Sequence, residues 1–140
     1  MSDDNSKPPP SHRILLVDDE PGIRDVLAAV LRHHNYGVET ASDGWEAWQS
    51  LSSDLGRIDV VITDNQMPRL DGFTLVQMLR RANFGGKIIV FSSSLTIEKA
   101  EILRELGVDA IVEKGSRLVE LLTAIRRATN SEVDGQEKSK

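Results

Sequence analysis

The chain has 140 residues, no cysteine and a formal net charge of −5. That length suits one domain of about 100–150 residues whose core needs no staples, and the lack of cysteine excludes disulfide scaffolds, cysteine metal sites and thiol chemistry. The acidic balance argues against a nucleic-acid groove, and the short apolar runs fall far below the ~20 residues that span a bilayer.

In chain order, the acidic start Met1-Ser2-Asp3-Asp4 has no apolar stretch behind it and is no signal peptide, so a cytoplasmic protein is expected. Residues 1–11 are polar with prolines at Pro8–Pro10 and read as a disordered, extended tail. The first strand is Ile14-Leu15-Leu16-Val17, apolar at every position, as in a parallel sheet covered on both faces. After Pro21, which the first helical turn tolerates, Ile23, Val26, Leu27, Val30 and Leu31 form an inward stripe. Tyr36 to Thr40 is a weaker, partly polar strand placed at a sheet edge. Asp43-Gly44 opens a second helix carrying Ala47, Trp48 and Leu51, with Trp48 inward and Trp45 partly exposed.

A third strand, Val60-Val61-Ile62, precedes a helix over Leu70 to Arg81 with Phe73, Val76 and Leu79 on one side. A fourth, Ile88-Ile89-Val90-Phe91, precedes a helix from Thr96 to Leu106 that Gly107 stops. A fifth, Ala110-Ile111-Val112, precedes a helix capped by Ser116 with Leu118, Leu121, Leu122 and Ile125 inward. Residues 131–140 read as a second disordered tail, leaving a domain over 12–130. Five alternating strands and helices imply right-handed crossovers and an α/β, doubly wound, five-stranded parallel sheet. The weak second strand at an edge fits the flavodoxin-like (βα)5 order 2-1-3-4-5.

In such a sheet, ligands bind beyond the carboxyl ends of the strands. Asp18, Asp19 and Glu20 follow the first strand, Thr63 and Asp64 the third, Ser92, Ser93 and Ser94 end the fourth, and Glu113 and Lys114 follow the fifth. Carboxylates crowded on one rim repel unless a cation intervenes. Mg2+ suits them, because it takes oxygen ligands and keeps water and phosphate oxygens in its shell. With Lys114 and Ser92 beside them, the rim is equipped to receive a phosphoryl group on an Asp nucleophile. Taken singly, each residue has a plainer reading. The acids complement a helix dipole, Asp64 turns the chain, Lys114 is solvated and the serines are loop polarity. Their convergence on one rim outweighs these.

Four stretches in order carry a resemblance: Ile14 to Glu20, Asp59 to Gly72, Ile88 to Ser93, and Gly107 to Lys114. Over residues 12–129 the chain resembles the receiver domain of bacterial two-component response regulators. The resemblance implies that Asp64 accepts the phosphoryl group. It implies that Asp18, Asp19 and Asp64 bind Mg2+, with the backbone carbonyl of Gln66 completing the protein ligands. Ser92 would be the switch hydroxyl and Lys114 the partner of the phosphorylated Asp64, with Pro68 and Gly72 shaping the loop between. Gln66 and Ser94 would flank the route of attacking water, so Gln66 is expected to affect autodephosphorylation.

Two positions depart from the family pattern. Ile111 stands where an aromatic rotamer switch is usual, and Gly115 stands where Pro usually follows the lysine. A non-proline cis bond costs about 3 kcal/mol, so a trans bond and a looser loop are expected after Lys114.

The resemblance implies a sensor histidine kinase or histidine phosphotransfer protein as donor. It implies a downstream target protein that reads the face made by the fourth helix, fifth strand and fifth helix. The expectations are no nucleic acid, no membrane and no conventional enzyme activity, with a homodimer through that same face admitted. The length is expected to leave no room for an output domain. A competing class is a phosphorylation-independent scaffold, kept open by Ile111 and Gly115. A phosphohydrolase with an Asp nucleophile on the first strand would need Asp-x-Asp, whereas Asp18 and Asp19 are adjacent. His12, His33 and His34 have no evident third ligand, and Lys99, Arg104, Arg126 and Arg127 read as solvated helix faces.

Overall fold

The computed structural model describes residues 8–138, with side chains through residue 130. Strands β1 (Arg13–Val17), β2 (Gly37–Ala41), β3 (Val60–Thr63), β4 (Lys87–Ser92) and β5 (Ala110–Glu113) alternate with helices. These are α1 (Pro21–His33), α2 (Gly44–Ser52), α3 (Gly72–Arg81), α4 (Ile97–Glu105) and α5 (Leu118–Lys138). The strands form one parallel sheet in the expected order β2-β1-β3-β4-β5.

Alternation along each strand divides the core in two. Ile14 and Leu16 of β1 face α1 and α5 with Val60, Ile62, Ile89 and Phe91. Leu15 and Val17 face α2, α3 and α4 with Val61, Ile88 and Val90. Burial on both faces is why β1, β3 and β4 are apolar at consecutive positions, while the edge strand β2 is mostly half-buried and carries Glu39 and Thr40.

Local chemistry sets the helix ends. Pro21 begins α1. Asp43, Asp71 and Thr96 cap α2, α3 and α4 by accepting the N–H of Glu46, Thr74 and Lys99. The third helix therefore starts at Gly72, two residues after the expected Leu70, because the Asp71 carboxylate bonds the first turn and the Leu70 carbonyl is taken by Gly44. Gly107 ends α4 with φ +85°. Ser116 does not cap α5. Its hydroxyl donates to the carbonyl of Glu113 in the turn before the helix.

Two inward expectations fail. Val26 is 62% exposed and Leu118 38% exposed. Leu27, Ala28 and Leu31 form the buried face of α1, and Leu121, Leu122 and Ile125 that of α5. Val26 and Leu118 instead line, with Ile23, Phe91 and Lys114, an apolar notch of about 350 Å³. Trp48 packs against the core and Trp45 is exposed, as expected. A short 3-10 helix at Leu55–Arg57 was not foreseen; its Arg57 pairs with Glu39 of β2 and bonds Ser50 of α2.

Of the expected N-terminal tail, residues 1–7 lie outside the described residues. The rest runs along the domain. The Asn35 amide donates to the Pro9 carbonyl at 3.0 Å, and the Ser11 N–H donates to the Asn35 carbonyl at 3.0 Å. Helix α5 runs to Lys138, past the expected boundary at residue 130. Among the described residues no helix is long and apolar enough to cross a membrane.

Candidate functional site

The carboxyl ends of β1, β3 and β5 bring the site together because these strands lie within one parallel sheet and end on one rim. Asp18 directly follows β1, and its N–H still donates to Ala41 beside it. Asp64 directly follows β3, and its N–H donates to Val17. Both side chains are buried, at 1% and 7% residue exposure. Carboxylates this buried require compensation. Lys114, just after β5, supplies it: its Nζ lies 2.8 Å from Oδ2 of Asp18, 2.8 Å from Oδ2 of Asp64 and 3.2 Å from Oε1 of Glu20.

The other oxygens of Asp18 and Asp64 are held by backbone. Oδ1 of Asp18 accepts the Glu20 N–H at 3.0 Å, and Oδ1 of Asp64 accepts the Asn65 N–H at 2.7 Å. Burial by itself would lower the Lys114 ammonium, but hydrogen bonds and charge from Asp18 and Asp64 outweigh it and hold it above its ordinary value. Lys114 is therefore a fixed cation here.

One oxygen each from Asp18, Glu20 and Asp64 lie within 4.8 Å of one another. Three hard oxygen donors facing a single ammonium leave an excess of negative charge, and this donor set fits a hard divalent cation such as Mg2+. Asp19, expected from sequence as part of this group, is exposed and is not one of the three. Glu20 occupies the third place. It stands at the N-cap position of α1 yet makes no side-chain capping bond, its carboxylate reaching Lys114 instead. The sequence places Glu20 on this rim, but the metal-ligand set that the family resemblance implies leaves it out. Arg24 was also missed; its guanidinium donates to the Asp18 carbonyl at 2.7 Å. Its only signal is its position one turn along α1.

Gln66 is exposed, on the loop that follows Asp64. Asn65 shapes the start of that loop. It is buried, its carbonyl accepts the Gly72 N–H at 2.8 Å, and its Oδ1 accepts the Phe73 N–H at 3.1 Å. Gly72 makes this closure possible, since a Cβ there would fall 2.1 Å from the Asp64 carbonyl oxygen. Ser92 is buried at the end of β4, but its hydroxyl faces its own loop, donating to the Ser94 carbonyl at 3.2 Å and accepting the Ser94 N–H at 3.4 Å. Beyond it a cavity of about 310 Å³ is lined by Ser94, Leu95, Ala100, Arg104 and Ile111, among others. The Lys114–Gly115 bond is trans, as no cis bond occurs among the described residues.

This geometry and fold define an acidic rim closed by one lysine on a doubly wound sheet. The family profile described as the response regulator receiver domain matches residues 14–126, and the chain belongs to that family. It is 35% identical over 127 residues to the response regulator MprA of Mycobacterium avium (strain 104), covering 89% of this chain and 55% of that protein. The chain thus spans about half the length of that curated relative. Among solved structures it is similar to a receiver domain protein of Clostridium thermocellum, with TM-score 0.80, 26% identity and coverage of 86% and 96% of the two chains. It is also similar to the response regulator TrrA of Thermotoga maritima, solved in complex with Mg(2+)-BeF, with TM-score 0.74, 31% identity and coverage of 84% and 98%. Receiver domains are signalling modules that interact with histidine kinases or phosphotransfer proteins and with downstream targets, and typically bind Mg2+ at an acidic cluster.

Proposed function

We propose that this chain is a Mg2+-dependent phosphoacceptor whose nucleophile is Asp64. The observation that carries the reading is the buried Asp64 carboxylate, 2.8 Å from the Lys114 ammonium and beside Asp18 on the open rim of the sheet. An Asp64 oxygen attacks the phosphorus of a phosphohistidine. The P–N bond breaks, the imidazole keeps the electron pair and takes up a proton, and an acyl phosphate remains on Asp64. Asp18, Asp19 and Asp64, with the Gln66 carbonyl, are the proposed holders of Mg2+; Glu20 stands close enough to share that role. When bound, the metal neutralises charge on the transferring phosphoryl oxygens. Lys114 binds the phosphoryl group, and Ser92 leaves Ser94 to donate a hydrogen bond to it.

The donor is a sensor histidine kinase or a histidine phosphotransfer protein, and the bacterial cytoplasm is the setting. The new dianion draws Ser92 and the loop after β4 toward Asp64, which changes the α4–β5–α5 face that a target protein, or a second copy, reads. With Ile111 in place of an aromatic ring, the change is carried by backbone and by Ser92.

The test is incubation with Mg2+ and acetyl phosphate, followed by intact mass. Wild type is expected to gain one phosphoryl group and Asp64→Ala none. An unlabelled wild type, or equal labelling of both, overturns the reading in favour of a phosphorylation-independent scaffold.

A further inference from the structure

The loop of residues 65–71 has a second anchor, away from the carboxylates. Its neck is closed by Asn65, Gly72 and Phe73. Its tip bears against the start of α2: the Gly44 N–H donates to the Leu70 carbonyl at 3.0 Å, and Nε of Arg69 donates to Oδ2 of Asp43 at 2.8 Å. A Cβ on Gly44 would lie 2.3 Å from the Leu70 carbonyl oxygen, so glycine is what lets α2 come this close. Arg69 itself has φ +67°, a left-handed backbone that a non-glycine residue keeps only when its surroundings hold it.

Asp43 is more than a helix cap. It is 5% exposed, its Oδ1 accepts the Glu46 N–H at 2.8 Å, and its Oδ2 is given over to Arg69. A neutral Asn or Ser caps a helix about as well as Asp. The charge at this position is held by the N–H groups of the first turn of α2 and by the guanidinium together, and only the second of these ties it to the loop.

We propose that Asp43 and Arg69 are a positioning pair for the reaction loop, holding its tip so that the backbone carbonyl at Gln66 is presented toward the cation site. The proposal rests on the phosphoacceptor reading above. Nothing in it requires either side chain to touch the metal or the phosphoryl group. The pair acts through the loop backbone, as partners one layer behind metal ligands commonly do.

The test is Mg2+ binding by calorimetry on the full chain, well below the melting temperature, alongside thermal melts. Asp43→Asn keeps the cap and removes the charge. Arg69→Asn removes the guanidinium and keeps a residue that tolerates positive φ. Each is expected to weaken Mg2+ binding about tenfold, the double variant no further than either single one, and Arg69→Lys to recover part of the loss. Variants that melt lower but bind Mg2+ within twofold of wild type, or effects that add in the double variant, overturn the proposal and leave a structural ion pair. A wild type that neither binds Mg2+ nor takes up label overturns the phosphoacceptor reading and this proposal together. A wild type that does both, matched by its variants, overturns this proposal alone.

Discussion

Between β3 and α3 the chain crosses residues 64–71 under tight constraint. Asn65 is buried and twice bonded, Gly72 packs against the Asp64 backbone, and Arg69 and Leu70 are tied to the start of α2. Between β4 and α4 it crosses residues 93–96 with Ser93, Ser94 and Thr96 exposed. There the hydrogen bonds are local: Ser92 with Ser94, and the Thr96 cap on α4. Among the described residues no hydrogen bond joins residues 93–96 to any element beyond β4 and α4. The helices that follow repeat the contrast. Helix α3 buries Gly72, Leu75, Val76 and Leu79, whereas α4 buries Leu103. A loop that must present a nucleophile benefits from being fixed, because rate depends steeply on position. A segment that must change state is drawn from weakly held structure. On the proposed phosphoacceptor reading, the two loops divide these duties on one rim.

The contrast breaks most sharply at Gly72. Gly72→Ala puts a methyl group against the backbone of Asp64, where no flexible side chain can yield, and is expected to cost about 3 kcal/mol in urea unfolding. Ser93→Ala, on the exposed side of the other loop, is expected to stay within about 0.5 kcal/mol. Equal costs would show that the loops are equally constrained.

Next comes Asp43→Ala, which removes a cap and an ion pair together and is expected to cost about 1–2 kcal/mol at neutral pH. Burial pushes the Asp43 carboxyl up, but the Glu46 N–H and the Arg69 guanidinium outweigh it and hold it below the usual carboxylate range. A depressed value in the folded state stabilises fully above the unfolded value of about 3.9 and is lost as pH falls through the folded value. The advantage of wild type over Asp43→Asn should therefore persist from pH 7 to about pH 5 and shrink below about pH 4. Chemical denaturation at several pH values checks it.

A smaller effect on stability, with a large one on signalling, is expected at Ser92. Its hydroxyl serves only its own loop, so Ser92→Ala should change stability by about 1 kcal/mol or less. Acetyl-phosphate labelling of Asp64 should survive, while the accompanying NMR shifts in residues 93–105 should largely disappear. Finally, amide exchange in α4 is expected to be roughly tenfold faster than in α3, since fewer buried contacts hold it. Matching rates would remove the basis for assigning motion to the β4–α4 side.

Much of this was legible beforehand, for reasons tied to short-range chemistry. Consecutive apolar positions in Ile14–Val17 and Ile88–Phe91 marked strands buried on both faces, and the weak Tyr36–Thr40 run marked an edge. Asp18, Asp64 and Lys114 could be placed on one rim because each follows a parallel strand. Val26 was misplaced because the buried face of α1 is centred on Leu27, Ala28 and Leu31, and Val26 lies about 100° around the helix from Leu27, on the side away from Ala28. Ser116 was misplaced because a serine before a helix can serve the preceding turn as readily as the helix itself.

By itself the sequence determined the order and kind of the elements, the two-sided core and the identity of the acidic rim, since these follow from periodicity and from what ends each strand. Only the tertiary structure decided that Glu20 joins Asp18 and Asp64 around Lys114, that Ser92 is bonded within its own loop, and that Asp43 reaches Arg69 across a gap of 26 positions. Those pairings depend on how far side chains reach between separate elements, and neither propensity nor spacing along the chain encodes that distance.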